Sequence, residues 1–361
     1  MSYSELRVDT HFYSKPFPHF KKPNIIGYIN INNLKYACNI REDNVNFDLN
    51  VHLDKAKRKP FDLDVKLTDL LKFLLEQKIR LNFPLPCKLE DSTFFCYRGL
   101  MTCVACTPYE NRDAWKIVAL LYKGHIYLCA RDTEEKLKHK IPKSDPNPNV
   151  PVDETEEFSL VFSTQLKNHK IVYGAEMDGI RCDKQHVEPL PNSLNDIQNI
   201  INYLSSYEFI ELKTNRHFDS LRQEGNFKRF KTKKWWCQSF LVGIDTILCG
   251  FRNDLGLVEE LKLYSVSDLP KMSKKFWDPS VCFNFLETFF TFVKRSFERK
   301  IRTKYGTGAL NDINKLPLIS LLFEWQPGSV IEVSDSYCHE EDPILQDWFL
   351  RSFGKEDEFQ T

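Results

Sequence analysis

The chain has 361 residues, equal numbers of basic and acidic side chains (50 each), and 28 Phe and 6 Trp within a 13% aromatic content. That apolar load suffices for a sizeable core and excludes a disordered chain, while the zero formal net charge excludes whole-molecule steering toward nucleic acid, so an anionic ligand must meet a local basic patch. Eleven cysteines without a framework spacing point to reduced thiols in a nuclear or cytoplasmic protein, the charged start MSYSELRVDT reads as lacking a secretory signal, and no run of about 18 apolar residues is present to span a membrane.

Taken in order, residues 1–30 carry Pro16, Pro18 and Pro23 and read as an extended arm. Over 66–79, Leu67, Leu70, Leu71, Leu74 and Leu75 recur at helical spacing and predict an amphipathic helix. Residues 94–130 read as three strands joined by turns at 107–113 and 123–124. Within them Arg98 precedes Gly99, where the missing side chain lets a ligand or a backbone approach closely. Cys103 and Cys106 make only half of a zinc pattern, because no second pair follows at a usable distance and a strand points the two thiols to opposite faces. Residues 131–157 form a polar, proline-punctuated loop, and 340–361 read as a tail.

The central third carries the chemistry. In IVYGAEMDGI, Glu176 and Asp178 are two apart in a strand-like run, so alternation puts both carboxylates on one face, roughly 6 to 7 Å apart. Glu211 and Lys213 repeat the arrangement in FIELKTNR, after a predicted helix over 193–207. Two neighbouring strands would converge three carboxylates and one ammonium, a set able to hold a hard divalent cation and to place charge beside a reacting phosphate. Solvated charges on exposed strands are the other reading, disfavoured by the interior-type neighbours Ile171, Val172, Tyr173, Phe209, Ile210 and Leu212.

FKRFKTKKWW then interleaves Lys228, Arg229, Lys231, Lys233 and Lys234 with Phe227, Phe230, Trp235 and Trp236. Cations with aromatic platforms suit single-stranded nucleic acid, but a helix with a charged outer face explains buried tryptophans equally well. On such a helix Gln238 lies one turn after Lys234 and can bring a neutral amide to the site. TILCGFRN reads as a strand ending near Arg252, a helix begins at Asp278-Pro279, and LISLLFEW and SVIEVS form a last strand pair.

The order Arg98-Gly99, Glu176-Met-Asp178, Glu211-Leu-Lys213, then Trp235-Trp236-Cys-Gln238 resembles the DXO family of decapping nucleases, and the similarity extends into YRGLMTCVACTPYENRDAW, WDPSVCFNF and LFEWQPG. The resemblance implies one α+β domain over 1–361, with two packed mixed β-sheets surrounded by helices and a Glu-x-Lys nuclease-like site. It also implies a magnesium- or manganese-dependent hydrolase of RNA 5′ ends in RNA quality control, located in the nucleus or cytoplasm, with a 5′-to-3′ exoribonuclease as a candidate partner. Glu176, Asp178, Glu211 and the carbonyl of Leu212 would be metal ligands. Glu176, Lys213 and Gln238 would serve catalysis and face substrate, and Tyr97, Arg98 and Gly99 would contact substrate. Family members also carry a Gly-aromatic-Lys-Phe-Glu motif whose glutamate is a further metal ligand. Here that interval is short and proline-rich, and Glu134, Glu135, Glu154, Glu156 and Glu157 do not stand in that setting. The expectation is turnover that is weak or lost, the alternative being an inactive RNA-binding or partner-binding homologue on the same fold.

Overall fold

The computed structural model describes residues 5–37, 47–51, 55–57, 66–131, 156–182, 184–191, 196–336 and 343–353. Its strands are β1 Glu5–Leu6, β2 Asn24–Ile29, β3 Tyr36–Ala37, β4 Phe47–Asp48, β5 Thr93–Tyr97, β6 Trp115–Tyr122, β7 His125–Arg131 and β8 Ser159–Leu166. They continue with β9 His169–Glu176, β10 Gly179–Arg181, β11 Phe209–Arg216, β12 Thr246–Arg252, β13 Leu257–Ser265, β14 Ile319–Trp325 and β15 Ile331–Asp335. Two mixed sheets result: nine strands in the order β1-β15-β14-β6-β7-β5-β9-β8-β2, and six in the order β3-β10-β11-β12-β13-β4. In the first, β5 runs parallel to both β7 and β9; in the second, β11 runs parallel to β12.

The central strands of the large sheet are apolar on both faces because helices cover both. In WKIVALLY of β6, Ile117, Ala119 and Leu121 face one core, which holds the long helix Pro279–Tyr305. Val118 and Leu120 face a second core built from the helices Thr68–Glu76 and Asp347–Phe353. Strands buried on both faces read as continuous apolar runs, which is the pattern seen. The long helix starts where the sequence places it: Asp278 accepts a hydrogen bond from the Ser280 amide at 2.7 Å, and Pro279 takes the first position, where a missing amide hydrogen costs nothing.

Several elements differ from the sequence reading. The first strand of 94–130 ends at Tyr97, and Arg98–Cys106 is a helix. Leu100, Met101, Val104 and Ala105 recur at one- and four-residue steps, a helical pattern that a short apolar run does not separate from a strand by inspection. Cys103 and Cys106 therefore sit one turn apart on a helix rather than on opposite faces of a strand. Among the described residues no group of His, Cys, Asp or Glu is assembled to hold a metal, and the nine described cysteines are free thiols. The expected helix over 66–79 stops at Glu76, followed by a separate turn Lys78–Leu81. The helix over 193–207 is observed as Ile197–Ser206, capped by Asp196. Residues 1–30 contribute β1 and β2 to opposite edges of the large sheet. Within the tail, Phe349 and Phe353 are buried. The loop over 131–157 falls mostly outside the described residues, as do 340–342 and 354–361. No described helix is long and apolar enough to cross a membrane.

Candidate active site

The two sheets meet where the chain leaves β9. Glu176 is the last residue of β9 in the large sheet, and Met177 and Asp178 carry the chain to β10 in the small one. Asp178 is thus at a sheet-to-sheet crossover, where the simple alternation of a strand no longer applies. β10 pairs antiparallel with β11, Gly179 opposite Ile210, which brings Asp178 beside the start of β11. Its Oδ2 accepts a hydrogen bond from the Leu212 amide at 2.6 Å.

Glu211 is 2% exposed and lies between two cations. Its Oε2 is 3.1 Å from Arg98 Nη1, and its Oε1 accepts from Lys213 Nζ. Arg98, 8% exposed, is delivered by the large sheet, because it opens the helix that follows β5. β5 in turn lies beside β9 with Tyr97 opposite Gly174. A Cβ at Gly174 would stand 2.7 Å from the Tyr97 ring, so glycine is what allows that ring to cross the strand. The Tyr97 hydroxyl accepts from the Leu70 amide at 3.3 Å, so both ring and hydroxyl are engaged in packing. A Cβ at Gly99 would meet nothing within 4 Å, leaving the backbone after Arg98 open to approach.

The electrostatics show one cluster. Burial pushes the Asp178 carboxyl above the usual carboxylate range; Glu211 adds to the rise, Lys213 and the Leu212 amide oppose it, and Glu176 contributes in the upward direction. Three carboxylates and two cations therefore act on one another at the junction of the sheets. The donor set is hard oxygen crowded by its own negative charge, which fits magnesium or manganese. As arranged, however, the oxygens of Glu211 are taken up by Arg98 and Lys213, and among the described residues no three acids are already gathered around one point.

The basic-aromatic run folds differently from an RNA-stacking platform. It comprises a π-helical turn Phe227–Lys231 and the helix Thr232–Phe240. Phe227, Trp235 and Trp236 are at most 6% exposed, and Trp236 stacks on Phe240 at a centroid distance of 4.8 Å. Lys233 is 1% exposed, with its ammonium 3.4 Å from the Cys106 carbonyl. Lys228 pairs with Glu224 at 2.6 Å, and Lys234 with Glu110 at 3.3 Å. Apart from the buried Lys233, the cations lie on the outside of the helix and the tryptophans on the inside, where they have no face for a base.

Gln238 is half-buried on the same helix, next to Cys237, whose Sγ lies 3.7 Å from that of Cys106. This contact packs the helix carrying Gln238 onto the helix carrying Arg98. The sequence reading passes over Asn215 and treats Lys231 only as part of the basic-aromatic run. Asn215 follows Glu211 and Lys213 at the next alternate position of β11, and its Oδ1 accepts from Lys231 Nζ at 2.6 Å. The signal was present in the Glu-x-Lys-x-Asn alternation.

A profile described as RAI1-like PD-(D/E)XK nuclease matches residues 24–147 and 137–350. A Xenopus laevis protein named decapping and exoribonuclease protein is 28% identical over 290 residues, 73% of this chain and 64% of its own length, so the match spans just under two thirds of that relative. The Bos taurus protein of the same name is 26% identical over 390 residues, 96% of this chain and 89% of the relative. The fold is similar to that of Candida albicans Rai1, solved in complex with pU5-Mn2+, with a TM-score of 0.69 and 16% identity over 96% of each chain. With the family profile covering most of its length and the fold in agreement, the chain belongs to the RAI1-like PD-(D/E)XK nucleases, the family of the decapping and exoribonuclease proteins.

Proposed function

We propose that the protein is a slow, divalent-metal-dependent hydrolase of RNA 5′ ends, removing incomplete or NAD-type caps and degrading 5′-phosphorylated RNA in RNA quality control. The observation that carries this reading is the convergence of Asp178, Glu211, Lys213 and Arg98 at the sheet crossover, with Glu176 at its edge. Glu176, Asp178, Glu211 and the carbonyl of Leu212 would hold magnesium or manganese, which when bound supplies Lewis-acid stabilisation of charge on the phosphate. Arg98 fixes the orientation of Glu211 from the large sheet. Lys213, 16% exposed, puts a positive charge beside that carboxylate and toward an entering phosphate. Gln238 offers a neutral amide able to donate to the phosphate or accept from the attacking water. Lys231, held on Asn215, extends the cationic surface along β11.

Slow turnover follows from two features: the absent Gly-aromatic-Lys-Phe-Glu motif, and the engagement of Glu211 by two cations. The same engagement favours a second reading, an RNA-end binder that no longer turns over. A nuclear or cytoplasmic location agrees with the free thiols, and a 5′-to-3′ exoribonuclease remains the candidate partner. The test is incubation with magnesium or manganese and capped, NAD-capped or 5′-phosphorylated RNA. Slow release of product that stops on chelation supports the hydrolase. Binding of the RNA without any product establishes the second reading in its place.

A further inference from the structure

At the opposite end of β9 from the acid cluster, a cavity of about 510 Å³ opens between the second half of the long helix and the 3-10 turn Leu89–Asp91. His169, which begins β9, lines it, while Glu176, which ends β9, belongs to the acid cluster; seven residues of strand separate the two places by roughly 23 Å. Thr291, Lys294, Arg295, Glu298 and Arg302 present one face of the helix to the cavity, and Lys88 closes the other side with Glu90. Four lining cations face two lining acids, with Asp91 beside Lys294 and Glu287 beside His169, so the local charge is close to balanced.

How these charges are engaged matters more than their number. Arg302 is tied to Glu298 at 2.7 Å. Arg295 is exposed and forms no ion pair among the described residues. The Lys294 ammonium donates to the Glu90 carbonyl at 2.9 Å and lies 5.4 Å from the Phe94 ring centroid. Burial lowers its pKa to about 8, with Asp91 opposing and Lys170 adding to the drop. A basic last turn that complements the helix dipole accounts for Arg302 and Lys304, but not for Lys294, about three turns earlier. At the cavity wall His169 is 5% exposed, with Nε2 3.1 Å from Thr291 Oγ1, and its Nδ1 is buried without a hydrogen-bond partner among the described residues. A partly dehydrated ammonium and an unpaired guanidinium thus border one open depression, with His169 packed into its wall.

We propose that this cavity binds a phosphate-bearing ligand of nucleotide size, independently of the acid cluster. Lys294 and Arg295 take the phosphates, and Thr307 and Asn311 offer neutral hydrogen-bonding groups to the rest of the ligand. The phosphates could belong to a free nucleotide or to RNA, and the experiment separates these sources.

Calorimetry on the full chain, with chelator present to silence the acid cluster, uses adenosine diphosphate, inorganic pyrophosphate and adenosine as probes. Both phosphate ligands should bind wild type and Glu211→Gln alike, adenosine should not bind, and Arg295→Glu should weaken binding by about tenfold or more, as expected for a lost charge-assisted contact. Because Arg295 is exposed, this variant should fold normally. In wild type the His169 imidazole resonances should move as adenosine diphosphate is added. Absence of saturable binding, equal affinity in Arg295→Glu, or loss of binding in Glu211→Gln would each overturn the proposal. Competition by a 5′-phosphorylated oligouridine that is abolished in Arg295→Glu would assign the phosphates to RNA, and binding of the small ligands alone would assign them to a free nucleotide; either result supports the site.

Discussion

The sheet crossover at Glu176–Asp178 and the helical run 227–240 are both rich in charge, yet apart from the buried Lys233 the charges of the run have the opposite setting. At the crossover Glu211 and Arg98 are buried against one another with Asp178 crowded beside them, a costly arrangement that packing alone does not require. In the helical run, Trp235 and Trp236 fill the core while Lys228 and Lys234 reach outward to Glu224 and Glu110. Buried charge held at a junction marks chemistry. Charge alternating with buried aromatics marks an amphipathic helix, however much its composition suggests a nucleic-acid surface.

Substitutions can break this comparison from either side. The largest stability effect is expected from Trp236→Ala, which empties a site packed by Phe240, Trp277 and Phe283 and should cost about 3 to 5 kcal/mol in urea unfolding. Unchanged stability with lost RNA binding would instead make Trp236 a stacking platform. Next, Arg98→Met leaves the carboxylate of Glu211 buried with one cation fewer. It should destabilise by about 3 kcal/mol, more than the double variant Arg98→Met with Glu211→Gln, in which no unpaired charge remains. A double variant less stable than Arg98→Met would mean that the pair is not the coupled unit described here.

The smallest effect concerns Lys234→Met. Although burial acts to raise the Glu110 pKa, Lys234 and the Asn111 amide outweigh it and hold the carboxyl below its ordinary 4.5. A depressed carboxylate stabilises the fold above its unfolded pKa, and that contribution is lost as pH falls through the lower, folded value. Lys234 is 48% exposed, so screening limits the pair to less than about 1 kcal/mol. Lys234→Met should therefore lose this small increment at neutral pH and differ less from wild type below pH 4.5. A difference that persists unchanged in acid would assign the effect to packing of the lysine stem instead.

Much of this was legible in the sequence because the strongest signals are local. Asp278-Pro279 places the start of the long helix, and the strand pair around Gln326-Pro327-Gly328 pairs as expected. Glu176, Asp178, Glu211 and Lys213 were singled out as one site, and the structure brings them within mutual electrostatic reach. What was not legible depends on tertiary context. Arg98 was expected to meet substrate phosphate, but its pairing with Glu211 follows from β5 and β9 lying side by side in a sheet that no local pattern specifies. The helix Arg98–Cys106 was read as strand because nine residues carry too few turns to reveal their period. The burial of the tryptophans was undecidable from composition, since an interleaved run of cations and aromatics suits a stacking surface and the buried face of a helix equally well.

The most direct measurement compares three rates: cleavage of 5′-phosphorylated RNA with manganese by wild type, Glu211→Gln and Lys234→Ala, each shown to be folded. If chemistry resides at the sheet crossover, Glu211→Gln loses on the order of 10²-fold or more while Lys234→Ala stays within about twofold of wild type. Undiminished cleavage by Glu211→Gln, or collapse of activity in Lys234→Ala alone, would contradict it.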